Sequence, residues 1–209
     1  MTAALVLYGA ALRRGRRLQL LDPHGTPLRS IDAARYAALH PGDGGLLDRC
    51  DGPTLDIGCG PGRLTAALTE AGHPALGVDI SGEAVRQARQ RGAAALRRCV
   101  FGPLPGEGRW RRALLADGNI GIGGDPVRLL RRCARLLGRD GAVLVELDRP
   151  GTPTWRGDVV LADGERASAP FPWAFVGVDG LARLAADGGL RVLESWTEAG
   201  RWFARLSHC

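Results

Sequence analysis

The sequence predicts an α/β fold: a mostly parallel sheet with an antiparallel end and helices on both faces. Three observations predict it. Short apolar runs at 53–57, 75–78, 112–116 and 142–147 alternate with helical patterns. The first run opens into a glycine turn, Gly58-Cys59-Gly60-Pro61-Gly62, directly before a helix. The second run closes on an acid, Asp79. Alternation of strand and helix is the signature of helices laid on a parallel sheet.

The elements follow in order. Leu5, Tyr8 and Leu12 share one face of a short amphipathic helix over 3–14. Residues 17–31 form a hairpin around Asp22-Pro23-His24-Gly25. Asp32 caps a helix over 33–39, and the proline- and glycine-rich stretch at 41–45 breaks the chain. The core begins near Leu46 with a strand at 53–57 and a helix at 63–71. A strand at 75–78 precedes a helix over 82–91 that is capped by Ser81 and carries Glu83 near its positive end. A weak strand at 94–100, a loop at 103–108 and a strand at 112–116 come next. After the loop 117–124, Asp125 caps a helix with Pro126 at its first position. That helix carries Val127, Leu130, Ala134 and Leu137 along one face, and a turn at 138–141 leads into a strand at 142–147. Beyond Pro150 the pattern gives strands at 158–161 and 169–176, a helix over 178–187 and a strand at 190–196. The aromatic tail at 202–206 continues that last strand.

Composition bounds the function. A chain of 209 residues, 45% apolar, fits one domain with one core, and its apolar stretches are strand-length. The start lacks the basic region that precedes a secretory signal, so a cytoplasmic protein is expected. The net charge of +6 comes from 28 arginines and no lysine, scattered and flanked later by acids. That distribution suits solvated helix faces more than a nucleic-acid surface. Five cysteines without a C-x-x-C pair and four dispersed histidines argue against a disulfide scaffold and a metal site.

The run from Thr54 to Leu64 resembles the first motif of the class I S-adenosylmethionine-dependent methyltransferases. An acid, Asp56, precedes a Gly-x-Gly-x-Gly spacing, and Arg63 stands where a dinucleotide fingerprint has its third glycine. The resemblance implies a Rossmann-like sheet and S-adenosyl-L-methionine as cofactor. It places Asp56 near the cofactor's ammonium, Gly58, Cys59, Gly60 and Gly62 against its backbone-facing side, Asp79 on the ribose hydroxyls and Ile80 beside the adenine. Read alone, Asp79 is also suited to starting the next helix.

Residues 112–121 are similar to the family's fourth-strand motif. Leu115 to Pro126 resembles a variant carried by small bacterial methyltransferase-like proteins. This implies that Asp117, Gly118 and Asn119 border the cofactor, with Ile120 and Gly121 toward the substrate; a plain crossover is the alternative. Many relatives carry an adenine-binding acid after the third strand. Cys99 and Val100 occupy that place here, and a thiol is a poor acceptor.

The expected organisation is one domain over 1–209, with 1–45 as a cap and 46–209 as the cofactor-binding core. The expected reaction is methyl transfer to a small-molecule acceptor near Tyr36, His40, Ile120 and Gly121. An RNA or protein methyltransferase and a non-catalytic cofactor-binding protein are the alternatives. Oligomeric state and a catalytic base are not specified by any spacing. The late aromatics either wall an acceptor pocket or close the sheet edge.

Overall fold

The computed structural model describes residues 3–209. From the amino end, α1 (Ala3–Arg14) leads into a hairpin of β1 (Arg17–Leu21) and β2 (Pro27–Asp32). A 3-10 turn at Ala33–Ala37 follows, with the Asp32 carboxylate accepting from the Ala34 amide. The glycine-rich break ends at Gly42, and α2 (Asp43–Leu47) begins inside the stretch expected to be irregular. There Asp43 and Leu46 are buried, and tertiary anchoring outweighs the low helix propensity of two glycines.

The core then runs β3 (Thr54–Ile57), α3 (Arg63–Glu70), β4 (Ala75–Asp79), α4 (Gly82–Gln90), β5 (Ala95–Arg97), β6 (Trp110–Leu115), α5 (Pro126–Leu136) and β7 (Leu137–Leu147). The last third holds β8 (Trp155–Ala162), β9 (Phe171–Phe175), α6 (Leu181–Asp187), β10 (Leu190–Glu198) and β11 (Arg201–His208). The main sheet has the order β10-β11-β7-β6-β3-β4-β5. Its pairs from β5 to β7 are parallel, and β11 is antiparallel to both neighbours.

Strand alternation decides the layering. Leu55, Ile57, Ala113, Leu115, Val143 and Val145 join the α5 residues Leu129, Leu130, Cys133 and Leu136 in one core. The opposite face puts Leu114 and Leu144 with Leu46, Leu64, Leu68 and Phe203. Both faces are covered, so the strands are apolar throughout.

Besides α2, β7 begins at Leu137, so the stretch 138–141 expected to turn is strand, and two further features depart from the sequence expectation. The aromatic tail does not extend the last strand. Ala199 and Gly200 have φ of 50° and 74°, and the chain folds back there as β11, inserted between β10 and β7. Positive φ at both central residues matches the twist of a two-residue hairpin, which an alanine does not advertise. The second departure is at the amino end. β1 pairs antiparallel with β8, building a separate sheet in the order β2-β1-β8-β9. Leu7, Leu12, Leu18 and Leu20 share a core with Val159, Leu161 and Ala84 of α4. The first 45 residues therefore have a core only together with residues 155–175. The late aromatics mostly serve packing: Trp155 lies against Phe175, Phe171 meets Trp173 edge-on and Trp196 stacks on Phe203. Among the described residues, no helix is long and apolar enough to cross a membrane.

This shared core makes a prediction. Leu18 is 1% exposed between the hairpin and β8. Leu18→Ala lowers the unfolding free energy by about 2–5 kcal/mol in urea titration. A cost near that of a surface substitution would show that the hairpin does not pack on residues 155–175.

Candidate functional site

The sheet reverses its strand order between β3 and β6, and ligands of open α/β sheets bind outside the carboxyl ends of strands at such a point. The glycine turn emerges there. Gly58, Gly60 and Gly62 have φ of 72°, 54° and 80°, a region that suits glycine. Space forbids side chains as well. A Cβ at Gly58 would lie 2.7 Å from Asn119 Nδ2, and one at Gly62 would lie 2.6 Å from Ala88 Cβ.

The turn is held from three sides. The Gly58 and Cys59 amides donate to the Val78 carbonyl at 2.8 and 3.1 Å. Asn119 Nδ2 donates to the carbonyls of Ile57 and Gly58 at 2.9 and 3.0 Å. Asp79 accepts from the Gly60 amide at 3.0 Å and from the Ser81 amide at 2.7 Å. Burial raises the pKa of Asp79, although these backbone bonds oppose the shift. Above the turn, the Tyr8 hydroxyl lies 3.4 Å from the place a Gly60 Cβ would take, so α1 reaches over the loop. Below it, Asp56 is buried and accepts from Thr65 Oγ1 at 2.7 Å; burial pushes its carboxyl up to about 6.

Arg63 opens α3 and is buried. Asp43 receives its Nε and Nη2 at 2.9 and 3.1 Å, and Asp117 receives its Nη1 and Nη2 at 2.5 and 3.1 Å. Arg201 joins Asp43 at 2.8 Å and Glu146 at 2.9 and 2.8 Å. Glu146 also accepts the Asp117 amide at 2.7 Å. Asp117 thus stands at φ 53° with both its amide and its carboxylate fixed.

Beside this network lies a cavity of about 240 Å³ between β2, the 33–37 turn and the ends of β6 and β7. Arg29, Tyr36, His40, Asp117, Gly118 and Asp148 are among its walls. Arg29 Nη2 donates to both Asp148 oxygens at 2.8 Å, and its guanidinium lies 4.3 Å over the Phe175 ring. Burial raises the Tyr36 pKa well above its ordinary value, so its hydroxyl keeps its proton.

The expected site residues fall into groups. Asp56, Gly58, Cys59, Gly60, Gly62 and Asp79 converge on the turn, and Ile80 stands beside Asp79 as an exposed apolar side chain, 52% accessible. Tyr36, His40, Asp117 and Gly118 meet at the cavity. Asn119 spends its amide nitrogen on the turn. Ile120 and Gly121, expected toward the acceptor, do not line the cavity. Ile120 is in the main core, and Gly121 is pressed against the Ala174 carbonyl and Trp173 of β9. Val100 is also in the core, 5% exposed, whereas Cys99 is exposed. Sequence reasoning passed over Tyr8 as a packing residue, and it did not connect Asp43, Arg201 and Glu146. Those three come from α2, β11 and β7, and no spacing joins them. Among the described residues, no group of His, Cys, Asp and Glu could hold a metal ion.

The network yields a pH prediction. Burial alone would raise Asp43, but bonds from Arg63, the His40 amide and Arg201 outweigh it and hold the carboxyl at about 2 against an ordinary 3.8. A depressed carboxyl stabilises the fold above its unfolded pKa and loses that effect as pH falls through the folded value. Asp43→Asn leaves buried arginines short of counter-charge, at a cost of about 3–5 kcal/mol at pH 7. The gap between wild type and variant in urea unfolding then narrows as pH drops from about 4 to about 2. A gap independent of pH would contradict the ionic role.

Comparison with known proteins agrees with this geometry. Residues 54–141 match the family model described as "Methyltransferase domain". A SAM-dependent methyltransferase from Bacteroides fragilis, solved with S-adenosyl-L-homocysteine, superposes with TM-score 0.78 at 22% identity, covering 99% of this chain and 94% of that one. The CcbJ methyltransferase from Streptomyces caelestis gives 0.63 at 16% identity, over 83% and 92%. The Burkholderia thailandensis 1,6-didemethyltoxoflavin-N1-methyltransferase gives 0.56 at 22% identity, over 79% and 75%. No curated protein matches in sequence. The glycine turn at the switch point and the strand order give this chain the Rossmann-like fold of these solved methyltransferases, and its segment 54–141 matches the methyltransferase-domain model.

Proposed function

We propose that the chain transfers a methyl group from S-adenosylmethionine to a small molecule, releasing S-adenosylhomocysteine. The observation that carries this reading is the small cavity beside the glycine turn, sharing Asp117 and Gly118 with the loop that braces that turn through Asn119. A site of about 240 Å³ roofed by the hairpin suits a small acceptor better than a folded macromolecule. The arginines support the same choice. Arg63, Arg112 and Arg132 are buried in ion pairs, unavailable to phosphates. Solved relatives include methyltransferases whose acceptors are small molecules, among them 1,6-didemethyltoxoflavin.

The turn fits the cofactor. Each Asp79 oxygen already holds one amide and keeps a second lone pair for a ribose hydroxyl. Ile80 offers an exposed apolar face to adenine, with Cys99 just beyond β5, the strand paired with β4, and Asp56 supplies a carboxyl below the turn for the ammonium. When bound, the sulfonium supplies an activated methyl group. The protein's own contribution is alignment and exclusion of water. Tyr8 and the hairpin, with Tyr36 and His40 beyond it, provide the cover.

Calorimetry tests the cofactor. S-adenosylmethionine and S-adenosylhomocysteine bind, and NAD does not bind comparably. Asp79→Ala weakens S-adenosylhomocysteine binding by on the order of 1–3 kcal/mol. Ser81→Ala, which removes only the helix cap to Ala84, leaves it nearly unchanged. Equal loss in both variants would reduce Asp79 to a helix-starting residue, and tighter binding of NAD would end the methyl-transfer reading.

A further inference from the structure

One stretch of the sequence has no part in methyl transfer. Residues 84–106 hold five arginines and no acid, and three of the five meet in space. A groove of about 440 Å³ lies between α4 and β5, at the edge of the main sheet. Its walls are Gly82, Val85, Arg86, Arg89, Gln90 and Arg97. None of these belongs to the glycine turn or to the cavity beside Asp117.

Two of these arginines are held in place with donors to spare. Arg89 Nε donates to the Ala95 carbonyl at 2.9 Å, and Arg97 Nε donates to the Ile80 carbonyl at 3.2 Å. Each bond fixes a guanidinium and leaves its two Nη groups open. Among the described residues, neither guanidinium meets a carboxylate. Glu83, the nearest acid along the chain, is already shared by Arg13, Arg86 and Gln87. Arg97 also gains nothing from the helix beside it. A Cβ at Gly82, the first residue of α4, would lie 3.6 Å from Arg97 Nη1, so the cation stands at the helix end that repels it. Holding two long side chains still costs rotamer entropy. An anion bound between them offsets both the entropy and the repulsion.

We propose that this groove is a second ligand site and that it takes the phosphate of a small organic phosphomonoester, gripped by Arg89 from α4 and by Arg97 from β5. Charge selects the group. Glu83 balances Arg86, which leaves two positive charges, and a phosphomonoester carries about −1.5 to −2 at pH 7 on three strong acceptor oxygens. Planar guanidinium forks suit those oxygens. Size selects the rest. Phosphate alone leaves most of the groove empty, and Val85 with the arginine stems gives an organic part an apolar wall. Other occupants fit less well. Even a single nucleic-acid-binding module buries on the order of 600–1,000 Å², more than six residues present. An extended peptide finds the edge of β5 taken, because the Ala95 and Arg97 carbonyls accept from Arg89 and Arg98. The proposal is independent of methyl transfer and needs no cofactor.

Calorimetry on the full chain tests it, with phenyl phosphate as the probe. Phenyl phosphate binds at one site, with the same affinity whether or not S-adenosylhomocysteine is present. Phenyl sulfate, of like shape with a single charge, binds at least about tenfold more weakly. Arg89→Gln and Arg97→Gln each weaken phenyl phosphate roughly 10- to 100-fold. Arg97→Gln carries the test by itself if Arg89→Gln folds poorly. Arg139→Gln, at an exposed position of β7, leaves the affinity as it was. No saturable binding overturns the site. Competition by S-adenosylhomocysteine moves the probe into the cofactor cradle and overturns a separate site. Equal binding of phenyl sulfate overturns the choice of a phosphate dianion. Equal loss in Arg139→Gln reduces the attraction to net charge and overturns the groove. Tighter binding of a single-stranded RNA oligonucleotide, weakened steeply by salt, overturns the small ligand in favour of a nucleic-acid surface.

Discussion

A buried arginine at the start of a helix is the constraint around which the site is organised. The amino end of a helix carries partial positive charge, so Arg63 at the first turn of α3 is placed against the field. Burial removes water as a remedy, and only fixed carboxylates remain. Asp43 and Asp117 supply them, and Asp43 and Glu146 in turn hold Arg201. The result ties α2, α3, β7, β11 and the end of β6 at one point. It also explains Asp117. A left-handed conformation costs a non-glycine residue on the order of 1–3 kcal/mol and persists only where its surroundings fix it. Here Glu146 fixes the amide and Arg63 the carboxylate.

The same cluster borders the proposed site. Arg63 follows the glycine turn without a gap, so the clamp that orients its guanidinium also anchors the helix against which the turn is closed. Asp117 and Glu146 face the cavity on their other side, and Asp43 takes the His40 amide. The proposed cofactor cradle and acceptor cavity therefore share one electrostatic wall. A change in that wall propagates to both.

The cradle was legible in the sequence because it is local. The turn, its flanking strand, Asp79 and the Ser81 cap lie within thirty residues, and each announces itself by residue type and spacing. The mostly parallel sheet with an antiparallel end followed from the alternation of elements. What was not legible is what distance along the chain conceals. Pairing of β1 with β8 joins Leu20 to Leu161, and no periodicity in either strand names the other. The hairpin at Ala199-Gly200 was missed because alanine seldom takes positive φ. Ile120 and Gly121 were read as facing the substrate from their place in a glycine-rich loop. The glycine at 121 in fact serves close packing on β9, as its contacts with Ala174 and Trp173 show. A glycine signals close approach without saying what approaches.

That division between local and distant has a functional side. The cradle is built by a continuous segment, and the family model spans 54–141. The cover is built from the amino-terminal segment, α1, the β1–β2 hairpin and the 33–37 turn, braced by β8 and β9. Contacts that couple distant segments close larger loops and bear a larger entropic cost, so they require a core of their own, which Leu18, Leu20, Val159 and Leu161 provide. That core is distinct from the one under the sheet but meets the cradle through Ala84 of α4 and Tyr8 over Gly60. Ser30, Ile31 and Arg35 meet the cavity from this cover, whereas Asp117 and Glu146 meet it from the sheet. The proposed acceptor space is thus bounded jointly by the cover and by the sheet.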